Sequence, residues 1–458
     1  MTYKPPKSLP RSRGTVLLAV AAALTLASAC SAPSSTTKTV EPKAPANEQK
    51  TVEPQLARET PEPTLESPTK VPEPKLADWD YFRDITNLGG AGNLPAAAVI
   101  TQQQEVKLAA PKWQLKGTGA VPFLPLEDDT VFGRASSNPA YWDSFVPALF
   151  HPDSVAVIEK ANPADYYLPV GGSRYQQVVV WAEKRLTHED LDPKKSKQIL
   201  ANHKGALMPW RLRAYDLNTR QVTELGSYQD LNKQLTPHVQ EPLAQPVSDG
   251  KTVYYCTESP KEAGHAVIVS QSLEPGSALT EYSEGCFPAF DGKRLLALRT
   301  EGQGERVVDT ANGQTIWELK HPNWHMNGLW ADPEVIVISV SWRPAVKAED
   351  NVPFAAPSYL LLIEPRGTKY AWVPAWSSRP MVNISGPLVA FGGANSAKAS
   401  VPAWTRIDAT AVNILPGLNG DWMPLLGDRG RSLLVPKMDG NQVNWDVFEV
   451  PSPKSPAK

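Results

Sequence analysis

Strands introduced by an aspartate-led turn recur along this chain at a spacing in the low forties. "SDGKTVYY" begins at residue 248, "FDGKRLLAL" at 290, "ADPEVIVI" at 331 and "GDRGRSLLV" at 427, with "SGPLVAF" at 385 in the same place. Asp249 to Asp291 is 42 residues and Asp291 to Asp332 is 41; Gly386 follows after 54 and Asp428 after 42. A second motif trails each turn: "RAYDLNTRQVTEL" (213–225), "RVVDTANGQTIWEL" (306–319), "RIDATAVNIL" (406–415) and the looser "LLLIEPRGTKYAWV" (360–373). In each, a strand ends on an acidic residue, a polar turn follows and another strand returns, which is a hairpin.

The segments between these turns are short and apolar, such as "QVVVWAE" (177–183), "HAVIVSQ" (265–271) and "EVIVISV" (334–340). β-branched and aromatic residues bounded by Gly, Pro, Asp and Asn read as strands. Long amphipathic helix patterns are missing, apart from "THEDLDPKKSKQILANHK" (187–204), where Thr187 and Asp190 fit the cap of one short helix. A period in the low forties with a hairpin in each unit is a repeat architecture, and all-β repeats of this size form propeller blades. The fold class expected is all-β: a single propeller of six or seven blades over residues 78–451, with two tandem β-sandwich domains as the alternative. The stretch from Asp78 to about Phe150 is hardest to phase, and the closing blade is open to strands from both ends of the chain. This region resembles the propellers of the TolB-like and quinoprotein-like groups, and "VVDTANGQTIWEL" is similar to the D-x-x-x-G-x-x-x-W blade hairpin of the latter.

The N-terminus has a different character. Lys4, Lys7, Arg11 and Arg13 precede an uncharged apolar run from Thr15 to Ala29, then small residues and Cys30. That order is a secretory signal (residues 1–29), and the run falls short of the roughly 20 residues a membrane-spanning helix needs. "LASAC" resembles the lipobox of bacterial lipoproteins, with Ala27 three residues before the cysteine where leucine is commonest. The resemblance implies lipidation of Cys30 and an extracytoplasmic, membrane-anchored protein at the cell surface; cleavage after Ala29 without lipid is the alternative. Residues 30–77 hold the cysteine and a Pro, Thr, Glu and Lys-rich linker without aromatic residues, and 452–458 form a similar tail. As flexible coil the 47 residues after Cys30 span about 40 Å, and as polyproline helix up to about 145 Å.

Of three cysteines, Cys256 and Cys286 remain for the mature domain. An even number in an oxidising compartment predicts a disulfide, with two buried thiols as the alternative. The formal net charge of −2 gives no basic stripe for a phosphate backbone, so nucleic acid is not an expected partner.

Catalytic motifs are missing. There is no G-x-S-x-G, H-E-x-x-H or cysteine–histidine zinc spacing. "DGKT" (249–252) and "GGAGNLP" (89–95) lack the remaining glycines of phosphate loops. Adjacent carboxylates at Glu127, Asp128 and Asp129, and those near His188, read as solvated loops. One cluster stands out: "HPNWHMNGLW" (321–330) gathers His321, Asn323, Trp324, His325, Asn327 and Trp330. Pro322 and Gly328 predict a loop there, and a loop carrying Trp beside amides suits sugar rings or peptide segments. With no third ligand apparent, no metal is expected at the two histidines, and no cofactor is expected in the protein. The expected function is a non-catalytic binding or scaffolding module of the cell envelope, its partners the membrane through the lipid and an envelope protein or glycan. The alternative is an extracytoplasmic propeller hydrolase or lyase whose funnel gathers polar groups from separate blades.

Overall fold

Seven sheets are arranged around one axis. The computed structural model describes residues 98–100, 102–115, 120–136, 145–160, 167–185, 210–227, 245–259, 265–274, 276–301, 304–320, 324–342, 358–367, 369–375, 381–392, 402–415, 424–439 and 442–450. Blades 1 to 6 each supply four consecutive antiparallel strands and span 121–157, 167–227, 247–284, 286–320, 324–375 and 382–414; blade 7 takes three strands from 425–449. The first strand of each blade lies against the first strand of the next, and that of blade 7 lies against that of blade 1. This closed ring of inner strands makes the protein a seven-bladed β-propeller and excludes the tandem sandwiches. The helix expected at 187–204 and the segments 1–29, 30–77 and 452–458 lie outside the described residues.

The recurring aspartate has a mechanical role. Asp249 Oδ1 accepts the backbone N–H groups of Lys251 and Thr252, each at 2.8 Å, and Asp291 Oδ1 accepts those of Lys293 (2.9 Å) and Arg294 (2.7 Å). The carboxylate stands in for a ladder carbonyl and fixes the turn from first to second strand. Gly250 and Gly292 follow with φ of +90° and +87°, a conformation that only glycine adopts without strain. The acidic end of the third strand acts alike: Asp216 Oδ1 caps Asn218 and Thr219, and Asp309 Oδ1 caps Ala311. Because strands alternate in direction, both sets of turns lie on one face of the ring, the turn face. The inner strands begin on the far face.

Seven hydrophobic clusters fill the seven seams between blades, each drawing residues from both neighbours. Alternate residues of one strand therefore enter opposite seams: Val253 and Tyr255 pack toward blade 2, and Tyr254 packs toward blade 4. A strand buried on both faces reads as a continuous apolar run, which is why these segments lack the alternation of a half-exposed sheet. Between blades 4 and 5 the rings of Trp317 and Trp372 meet edge to face at 5.9 Å. Across the seam between blades 3 and 4, Cys256 of strand Thr252–Glu258 and Cys286 of strand Cys286–Phe290 form a disulfide.

The segment ahead of blade 1 laces the ring from outside. Strand β1 (Ala98–Val99) pairs in parallel with the outermost strand of blade 5, and β2 (Gln102–Glu105) does the same on blade 6. Strand β3 (Trp113–Leu115) pairs antiparallel with Gln442–Glu449 and becomes the fourth strand of blade 7. The closing blade thus combines strands from both ends of the chain. At each crossing the strap inserts a side chain into a seam: Ile100 between blades 5 and 6, Val106 and Leu108 between 6 and 7, and Leu115 between 7 and 1. Ile100 and Leu115 are both 3% exposed.

Candidate functional site

Four of the seven inner strands break register with their neighbour by one residue: between Pro122 and Leu124, Pro169 and Gly171, Cys286 and Ala289, and Met326 and Gly328. Each break is one extra residue on the inner strand: Phe123, Val170, one of the Phe287–Pro288 pair, and Asn327. Phe123, Val170, Phe287 and Asn327 are all half-buried. A bulge turns a side chain out of the alternating pattern; here Phe123, Val170 and Phe287 pack against the clusters of the seams, and the fourth residue, Asn327, is polar. Phe287 holds φ at +53°, a conformation rarely adopted by a bulky residue, and its neighbour Cys286 is tied to blade 3 by the disulfide.

The cluster "HPNWHMNGLW" lies on one of these strands. Residues Trp324–Asp332 are the inner strand of blade 5 and not the loop expected from Pro322 and Gly328. Gly328 follows the bulge, and the ring of Trp330 covers it so closely that a Cβ there would stand 2.2 Å from Trp330 Cη2. The glycine makes room for a ring and does not break the strand. Trp324 is 1% exposed in the core between blades 4 and 5, out of reach of any solute. His321 and Asn323 lie outside the described residues. His325, Asn327 and Trp330 are half-buried on the inner strand. His325 Nδ1 lies 3.2 Å from Glu305 Oε1, and the other oxygen of Glu305 accepts the backbone N–H of Met326 at the bulge. Asn327 Nδ2 donates to Ser341 Oγ at 2.9 Å. Glu305, from the third strand of blade 4, therefore holds both the imidazole and the bulged backbone that presents Asn327.

A second polar group, absent from the sequence reading, occupies the seam between blades 1 and 2. Glu183 is 1% exposed and accepts from Trp181 Nε1 at 2.8 Å and from Arg211 Nε at 2.6 Å. Arg213 reaches Glu224 at 2.9 Å and Glu159 of blade 1 at 2.5 Å. Arg134 of blade 1 donates to the Pro169 carbonyl of blade 2 at 3.1 Å, with its guanidinium 4.9 Å from the Phe145 ring and 5.8 Å from the Phe123 ring. The Arg211 guanidinium lies over the Tyr167 ring at 4.1 Å. Burial alone would lower the Arg211 pKa, but Glu183 outweighs it with help from Glu224 and Glu159, and the pKa is raised. The available signal was "WRLRAYD" (210–216). Trp210, Leu212 and Ala214 enter the seam with blade 3, so Arg211 and Arg213 sit on the opposite face of the strand, where an inter-blade strand ordinarily carries hydrocarbon.

Both polar groups lie at the far-face ends of their blades. Tyr167 opens the inner strand of blade 2 and Arg211 is the second residue of its third strand, while His325 and Glu305 stand second in the inner strand of blade 5 and the third strand of blade 4. Elsewhere, burial and then Asp249 push the Tyr254 phenol up to about 12, and burial does the same to Tyr359. Among the described residues no three His, Cys, Asp or Glu side chains are grouped to hold a metal ion.

No protein-family model matches the chain, and no curated protein matches it. Among solved structures, the β-propeller domain of the trilobed protease from Pyrococcus furiosus is similar at 10% identity over 62% of this chain and 81% of that one, with a TM-score of 0.37. TolB from Acinetobacter baumannii is similar at 13% identity over 62% and 77%, TM-score 0.35. An oligogalacturonate lyase in complex with manganese is similar at 14% identity over 73% and 78%, TM-score 0.36.

Proposed function

We propose that this protein is a lipid-anchored binding or scaffolding propeller of the bacterial cell envelope, held to the membrane through Cys30 and recognising an envelope glycan or protein on its ring. The observation that carries the binding role is the polar bulge of blade 5. At the other three breaks Phe123, Val170 and Phe287 pack against inter-blade clusters, whereas in blade 5 the extra residue is Asn327, which sits with half-buried His325 on the innermost strand, where polar groups support recognition. The extracytoplasmic setting is supported by the disulfide between Cys256 and Cys286, a bond that persists in oxidising compartments and is rare in the cytosol. The N-terminal order of charges, apolar run and small residues before Cys30 supports the anchor.

The test is fractionation of bacteria producing the full chain in the presence of labelled palmitate. The wild-type chain is expected in the membrane fraction with label, and Cys30→Ala is expected unlabelled, either released or retained as the unprocessed precursor. Identical fractionation and labelling of the two chains would overturn the anchor.

A further inference from the structure

Blade 4 braces the inner strand of blade 5 in two places. From its third strand, Glu305 accepts the Met326 N–H and stands 3.2 Å from His325 Nδ1. From its own inner strand, Phe287 packs against the cluster between blades 4 and 5, to which Trp324, Met326 and Leu329 of blade 5 belong. The two inner strands lie against one another. Phe287 reaches this position with φ at +53°, directly after the disulfide-bonded Cys286. Of the four bulged inner strands, this one alone carries a disulfide, and it alone holds a non-glycine residue at positive φ. A left-handed phenylalanine persists only where its surroundings over-determine it. One determinant is the apolar cluster that receives the side chain; the other is the bond beside it. Cys286 is 5% exposed, Cys256 of blade 3 is fully buried, and their Cα atoms stand 5.1 Å apart. Ahead of them Gly285, at φ +108°, sits so close to the next strand that a Cβ there would stand 2.7 Å from the Leu298 carbonyl oxygen. With the preceding backbone seated and Cys286 tied to another blade, Phe287 cannot relax to an extended conformation without drawing blade 3 along.

We propose that the disulfide and Phe287 together position the polar strand of blade 5: the bond sets the backbone of Phe287, and the Phe287 side chain sets the strand that presents Asn327 and His325. Phe287 is a positioning residue in this arrangement. The covalent tie between blades 3 and 4 thus acts on a site one blade further round the ring, through a contiguous run of packed side chains. The proposal rests on the reading of blade 5 as the recognition blade and adds what controls its geometry.

Native-state hydrogen exchange of the full chain in detergent tests it, with the imidazole resonances of His325 as a second readout. Cys256→Ala with Cys286→Ala is expected to speed exchange of Trp324–Asp332 about tenfold or more and to move the His325 resonances, while the inner strand of blade 2 (Tyr167–Tyr175) stays within about twofold of wild type. Phe287→Gly keeps the disulfide and accepts the left-handed backbone but removes the ring, and is expected to give the same pattern. Leu115→Ala, in the seam between blades 7 and 1, controls for lost stability alone and is expected to leave Trp324–Asp332 and His325 as in wild type. Acceleration confined to Thr252–Glu258 and Cys286–Phe290 overturns the coupling, as does equal acceleration of Trp324–Asp332 by Leu115→Ala, or a His325 that neither variant moves. A response to the cysteine variant without one to Phe287→Gly overturns Phe287 as the link. Both readouts are taken without ligand, so the coupling can fail while the reading of blade 5 as the recognition blade stands.

Discussion

Asp332 ends the inner strand of blade 5 and accepts the N–H of Glu334 at 3.2 Å through one oxygen and that of Gly386, in blade 6, at 3.3 Å through the other. Burial raises its pKa; the two backbone donors and Arg429 pull the other way without cancelling it. A carboxyl whose folded pKa exceeds its unfolded value binds its proton more tightly in the native state. Its protonation therefore adds stability as pH falls through the folded pKa, the gain is complete below the unfolded one, and at neutral pH the ionised form weighs against the fold. The carboxyl carbon of Asp332, followed by NMR, is expected to titrate above a free aspartate in the same buffer; a midpoint at or below that reference contradicts the burial account. The aspartate was legible in sequence as a turn residue, because an Asx turn is local. Its link to Gly386 was not, since the two are neighbours only through the ring. The same holds at His325, whose sequence neighbours suggested a ligand loop. Its partner Glu305 comes from another blade, and no local pattern points to it.

The strap is the least legible element. Its pieces read "AV", "QQQE" and "WQL", too short to show a period, and all four residues of β2 are exposed. Their conformation comes from blade edges that already exist, so the information sits in the partner strands. Blades 3 to 7, by contrast, declared themselves through turn chemistry repeated in place, which each unit needs for its own hairpin. The strap's grip is expected to lie in its buried side chains more than in its few ladder bonds. Ile100 fills the seam between blades 5 and 6 beside Val373, Phe391 and Val412. Ile100→Ala is expected to cost about 2–4 kcal/mol and to speed hydrogen exchange in Tyr370–Ala375 and Ala411–Ile414, the strands that β1 and β2 cover. Unchanged exchange in those strands would show that the strap holds without its plug.

For the whole molecule, closure depends on β3, which completes blade 7 with residues more than 300 positions away from their partners. That both ends meet in one blade could be suspected from the unphased stretch before residue 150; the number of blades followed only once the ring was seen to close. The disulfide reinforces one seam of that ring. Its cysteines are 30 residues apart, and removing it by Cys256→Ala with Cys286→Ala is expected to lower stability by about 3.5 kcal/mol in chemical denaturation. A loss near zero would mean that the hydrophobic cluster of this seam holds blades 3 and 4 together unaided.

The path of the strap also decides how the ring meets force. A load arriving from the N-terminal side reaches Ala98–Val99 first, then Gln102–Glu105, and only then the strand that closes blade 7. The two outer attachments would tear one after the other, paying out on the order of 50 Å of chain for the residues ahead of β3, before tension touched the closing blade. They would act as fuses in series, taking up a sudden stretch so that the ring itself stays shut.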